Sequence, residues 1–237
     1  MSKNYKEFQA TPVDDKIHLW HIMRLHKLNT FLDGNLWFAR LDQFNTNYEG
    51  EVPVSNIGLL IRLLRNQSGS VLAEYENFAQ KAYASCWHMN YGDPNNKMWD
   101  SFKGEVAIKT SPSIIKELVN SVPKHKNGGP IYFSKVDYID YANEYIPDTN
   151  MLYASFTVTE QFEANEQEAR ILISTDSIPM SHQIFRYRND LQTAILLPIV
   201  PENFIEEILI RDSLTDSRSN VIRHAIEQKG LGHKIRT

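Results

Sequence analysis

The residues with the most chemical potential crowd into an acidic stretch at 160–170, where Glu160, Glu163, Glu166 and Glu168 precede Arg170 and an apolar run from Ile171. In an extended backbone alternate side chains share a face, so Glu166, Glu168 and Arg170 fall together. Carboxylates so placed repel unless a cation or ligand shares the site. One reading is a solvated strand edge with Arg170 as counterion, since charge on an edge protects it from stray pairing. The other is a cleft lip, where one Glu holds a hydroxyl group or stabilises a developing cation. The eight histidines are scattered. His18 and His21 would face opposite sides of a strand, so a shared metal is not expected. Cys86 and His88 are spaced as a thiol and its base could be, but a lone cysteine in an apolar strand reads first as buried and inert. Phosphate-loop, dinucleotide, zinc-protease and serine-hydrolase motifs are absent. Phe44, Asn45, Tyr48 and Glu49, and later the stretch 93–99, mix aromatics with amides and acids as small-ligand pocket walls do. Trp87, Met98 and Trp99 serve as well as core anchors.

Positioning such residues takes a folded frame, and the composition supplies one. The chain has 237 residues, 42% hydrophobic and 23% charged, which suits one domain of generous size spanning 1–237. A net charge of -4 argues against nucleic-acid binding by overall basicity, while a local basic patch stays open. A single cysteine allows no internal disulfide and points to a reducing compartment. The first fifteen residues are polar, unlike a signal peptide, and the longest apolar run, 194–200, is far short of the ~18 residues a membrane helix needs. A soluble, cytoplasmic protein that makes no membrane contact is expected.

Strand-like alternation at 17–21 is followed by Leu25, Leu28, Phe31 and Leu32 at helical spacing, then Gly34 as a stop and a second strand at 36–39. Helices are expected at 56–65 and 71–82, together a helical insertion at about 56–82. Tyr83 to Trp87 reads as a strand. Asp93 and Pro94 read as the start of a helix bearing Met98, Trp99 and Phe102, closed by Gly104. Further strands are expected at 105–109, 131–139, 169–173 and 208–210. A helix starting near Pro112 and a last helix, opened by Asp216 or Ser217 and closed by Gly230, complete the pattern. Strands and helices alternate without a βαβ rhythm, which predicts an α+β fold.

Several of these pieces together resemble a known family. Leu36, Trp37, Phe38 and Ala39 with Phe44, Asn45 and Glu49, then Ser85, Cys86 and Trp87, then Met98, Trp99 and Phe102, then Val106, Ala107 and Ile108, appear in order. Glu166 to Arg170 and the late run 205–210 follow. This order is similar to the bacterial domain-of-unknown-function family 2971, whose relatives include AbiGi-like abortive-infection proteins. The likeness runs from about Leu19 to Gly230, with Thr46 and Asn47 where that family more often has Asp-Pro. The opening unit, from Leu19 to Leu36, also resembles that of ADP-ribosyltransferases. That second likeness implies a His on a first strand, a small or aromatic residue on a second and a Glu on a later strand. Here these are His21, Ser85 or Trp87, and Glu168 of the Glu166–Glu168 pair.

What the likeness implies is NAD as cofactor, held by His21, Ser85, Trp87 and Arg170, with Glu168, Glu166 and His21 as catalytic candidates. The carboxylate would stabilise the oxocarbenium-like cation formed when nicotinamide leaves. The alternative reading of His21 is a half-buried strand residue that donates to a backbone carbonyl. The fold expected is a split antiparallel sheet with flanking helices, in the manner of ADP-ribosyltransferases. The function expected is an NAD-using transferase or glycohydrolase in a phage-defence or toxin context, acting on a small nucleotide ligand or a macromolecular acceptor. The alternatives are a silent nucleotide-binding or protein-interaction module, and a metal-dependent nuclease.

Overall fold

Alternating apolar runs become strands, and short helices with one apolar side fill the intervals between them. The computed structural model describes residues 12–43, 79–121, 131–140, 157–159, 167–174, 186–187 and 193–236. In chain order the first elements are β1 (His18–Met23), α1 (Leu25–Leu32), β2 (Asn35–Arg40) and β3 (Ala82–Asn90). Next come α2 (Asn96–Phe102), β4 (Val106–Thr110), α3 (Pro112–Ser121), β5 (Ile131–Lys135), β6 (Asp137–Ile139) and β7 (Thr157–Thr159). The chain continues with β8 (Glu168–Ser174), β9 (Arg186–Tyr187), β10 (Ala194–Pro198), α4 (Pro201–Phe204), β11 (Glu207–Ile210), α5 (Asp216–Gln228) and β12 (Ile235–Arg236). Most of the expected helical insertion lies outside the described residues.

Among the described residues ten strands form one open sheet, with β6 and β7 paired separately in parallel. β3 lies at its middle. Along one edge β3 pairs with β8, from Ala82 opposite Ser174 to His88 opposite Glu168. Its other edge is divided: β1 takes His88, Met89 and Asn90, while β2 takes Tyr83 and Ala84. Beyond β1 the order runs β4, β11, β12, and beyond β2 it runs β10, β9. Every pairing in this sheet is antiparallel except β11 with β12. This is an α+β fold on a split, mostly antiparallel sheet.

Alternation sends Leu19 and Met23 of β1 to one face and Trp20 and Ile22 to the other. The first face joins Trp87, Ile108 and Ile171 in the main core, covered by Leu28 and Phe31 of α1, Ile115 of α3 and Ile222 of α5. On the second face Trp20, Ile22, Trp99 and Ala107 cluster, with Met98 and Phe102 packed against them. The expected apolar stripe of α2 therefore packs inward.

Local chemistry corrects several boundaries. α2 is capped by Asn95, whose side chain accepts the Met98 N–H at 3.0 Å, and starts two residues after Pro94. It is closed by Lys103 in a left-handed conformation, φ 45°, and not by Gly104. Gly104 answers a different need, because a Cβ there would overlap Ile22 Cγ2. α5 is capped by Thr215, one residue earlier than expected. The single strand expected at 131–139 is two, broken at the buried Val136, and its halves join different sheets. The apolar run at 194–200 supplies β10.

Gly104→Ala should therefore lose about 1–3 kcal/mol in a urea melt, the usual cost of overpacking. Adding Ile22→Ala removes the opposing methyl, so the double variant should lose less than the two singles summed. Strictly additive losses would show that this contact does not exclude a side chain.

Candidate functional site

β1 and β2 both run antiparallel to β3, hence parallel to each other, and both approach the same edge of it. Each secures one end. Past Trp20, β1 has no ladder partner on β3, and before Ala39 neither does β2. Ser85, Cys86 and Trp87 are thus laddered only to β8, and the edge between the two strands opens as a fork. A buried carbonyl left without a partner is costly. Here the Cys86 carbonyl oxygen is met by His21 Nδ1 at 2.7 Å.

That bond sets the chemistry of the ring. A carbonyl only accepts, so Nδ1 carries the proton and Nε2 presents a lone pair. Nε2 has no hydrogen-bond partner among the described residues. The pKa of His21 is lowered to about 4, chiefly by burial, with the Lys27 and His88 charges adding to the effect. The bond to Cys86 and the nearby Glu168 charge oppose this and are outweighed. His21 is neutral at pH 7.

A cavity of about 230 Å³ occupies the fork. His21, Lys27, Trp37, Ser85, Cys86 and His88 bring its polar and aromatic character. Ser85 Oγ accepts from Trp87 Nε1 at 3.2 Å, which leaves its own hydroxyl proton free to donate. The His88 ring lies 4.2 Å from that of Phe102 on the second face.

Of the residues expected at the site, His21 and Ser85 line this cavity. Trp87 lies next to it but is fully buried, its ring 5.1 Å from that of His21 and 5.8 Å from that of Phe204. Glu168 and Arg170 sit opposite His88 and Cys86 in the β3–β8 register, which puts them on the reverse face from Ser85 and Trp87. Both are buried, and they form a two-pronged pair: Arg170 Nε donates to Glu168 Oε1 at 2.7 Å and Nη2 to Oε2 at 3.1 Å. Burial pushes the Glu168 carboxyl up, but the Arg170 charge and its bonds, with help from the Cys86 thiol, hold it below its ordinary value.

Arg170 is thus the counterion that alternation predicted, while the solvated-edge reading is corrected. β8 lies between β3 and β5, and Glu168 is ionised inside the protein. Glu166, Phe44, Asn45 and Glu49 lie outside the described residues.

Sequence reasoning missed Lys27 as a site residue and took Trp37 only as part of a family likeness. No local pattern marks either one. They meet His21 only because β1 and β2 diverge from one edge.

Among the described residues no three His, Cys, Asp or Glu side chains converge as metal ligands, and no helix is long and apolar enough to cross a membrane. No family model matches the chain, and no curated protein or solved structure shows significant similarity to it.

Two measurements check this geometry. The folded pKa of His21, about 4, lies below its ordinary 6.5, so the unfolded chain binds the extra proton first. The His21 contribution to stability is complete above pH 6.5 and declines as pH falls toward 4. His21→Asn, which keeps a donor for the Cys86 carbonyl, should flatten that part of a urea-midpoint profile. An unchanged slope would mean His21 titrates normally.

Glu168→Gln should cost about 3–5 kcal/mol by leaving Arg170 buried without a counterion. The apolar double replacement Glu168→Leu with Arg170→Met should recover most of that loss. A Glu168→Gln loss under about 1 kcal/mol would place the pair in solvent.

Proposed function

We propose that this chain is a nucleotide-binding protein that holds the nucleoside end of its ligand in the fork, with NAD the ligand class that its likeness to ADP-ribosyltransferases suggests. The observation that carries the reading is His21, neutral, fixed in one tautomer by Cys86, with Nε2 open at a cavity that also holds Lys27. A fixed imidazole acceptor suits a ribose hydroxyl, Ser85 can donate to a second polar group, and Trp37 adds an aromatic side chain to the lining. At about 230 Å³ the cavity is smaller than the roughly 300–1,000 Å³ of sites that enclose a drug-sized ligand. It therefore suits one nucleoside and not a whole dinucleotide.

Binding is favoured over turnover because both Glu168 oxygens are bonded to Arg170 on the reverse face. The likeness to the bacterial family 2971, with its abortive-infection relatives, suggests the context for this reading.

Calorimetry with NAD and with nicotinamide riboside tests it. Both should bind, and His21→Ala should weaken each about three- to tenfold, the worth of one neutral hydrogen bond. No binding of either at millimolar concentration would overturn the reading. Nicotinamide release from NAD by the purified chain would instead restore the transferase or glycohydrolase reading, with Glu166 as its remaining carboxylate.

A further inference from the structure

A second hollow, about 510 Å³ and open to solvent, lies where β1 passes into α1, lined by Arg24, His26, Asn29, Lys103, Glu105 and Arg218. Its charges do not cancel. Glu105 accepts Arg218 Nε at 2.6 Å and Nη2 at 2.8 Å, and also takes the Leu25 N–H at 3.0 Å. The carboxylate is therefore fully engaged, and the first amide of α1 with it. Arg24 and Lys103 form no ion pair among the described residues, and Arg24 only reaches the Lys103 carbonyl at 3.4 Å. Arg24 and Lys103, neither in an ion pair, thus line one hollow with Asn29, where the Arg24 charge also helps hold the Glu105 carboxyl below its ordinary value.

Lys103 stands there at a cost. Its φ of 45° is the left-handed conformation that usually falls to glycine after a helix, and an L side chain is disfavoured in it. The fold accepts that strain at a residue that lines the hollow.

The two hollows are lined by residues that neighbour each other in sequence. Met23 lines the fork and Arg24 the second hollow; Phe102 and Lys103 divide in the same way, as do Lys27 and His26. A ligand whose nucleoside fills the fork must send its phosphates outward, and Arg24 and Lys103 each directly follow a residue that lines the fork.

We infer that the hollow around Arg24 and Lys103 is a phosphate subsite, receiving the pyrophosphate of a dinucleotide whose nucleoside end occupies the fork. The inference rests on the nucleotide-binding reading above. Cations outside ion pairs can make charge-assisted bonds to phosphate oxygens, which are about twice as strong as neutral ones.

Lys103→Gly tests it with two readouts that a structural role alone would not move in opposite directions. Relief of the left-handed strain should raise the melting temperature, while NAD binding by calorimetry should weaken about tenfold or more. Nicotinamide riboside, which has no phosphate, should bind Lys103→Gly as it binds the native chain. Arg24→Gln should likewise weaken NAD and spare the riboside, and inorganic pyrophosphate should compete with NAD on the native chain only. NAD affinity unchanged in both variants would overturn the phosphate subsite while leaving the fork reading intact. Failure of both NAD and the riboside to bind the native chain would overturn the fork reading and the subsite with it. A single-stranded oligonucleotide that binds more tightly than NAD and is lost in both variants would also overturn it, assigning the cations to a polymer backbone.

Discussion

One edge of β3 serves two strands, and much of the molecule follows from that division. β1 and β2 are joined through α1 by very short connections, Arg24 on one side and Asp33 with Gly34 on the other. They must therefore arrive side by side, in parallel, at a strand to which both run antiparallel. Two strands cannot ladder to the same residues, so each keeps one end and the centre of β3 is left open. A backbone carbonyl exposed in this way needs a donor. His21 provides it, and in doing so fixes its own tautomer, loses its basicity to burial and turns Nε2 outward. The fork, the cavity and the neutral imidazole share one cause.

The reverse face is governed by a different requirement. Arg170 and Glu168 are buried charges, tolerable because each satisfies the other through two parallel hydrogen bonds. Their net contribution to stability is small beside the cost of separating them. Their larger effect is on alignment. A slip of β8 by one residue would carry both charges to the face that holds Trp87 and Ile171, into the main apolar core. The pair thus pins β8 to β3 at the place where β3 is least constrained by its other neighbours.

Much of the frame was legible in the sequence because it is written in short-range pattern. The helix of Leu28, Phe31 and Leu32, the stop at Gly34, the inward stripe of Trp99 and the strands around Tyr83 and Ile171 follow from spacing alone. Ends of elements were less legible, since caps depend on one side chain reaching one amide: Asn95 and Thr215 do this, and the acidic residues near them do not. The site was legible only in part. His21 and Ser85 carry chemistry that sequence reasoning could recognise, but Lys27 joins them through topology. Alternation set Arg170 beside Glu168 but could not tell that β3 and β5 flank β8 and bury the pair.

The unit most plainly written in the sequence, β1 with α1 and β2, is also the one least able to stand by itself. β1 and β2 make no ladder with each other. β1 awaits β3 and β4, while the longest partnership of β2 is with β10, where Phe38 meets Ile195 across most of the chain. During synthesis this segment leaves the ribosome before its partners, with two apolar strands unpaired until distant sequence is made. Such a topology folds slowly and exposes sticky edges while it waits. The arrangement that opens a fork in the finished protein thus makes the nascent chain dependent on protection during its assembly.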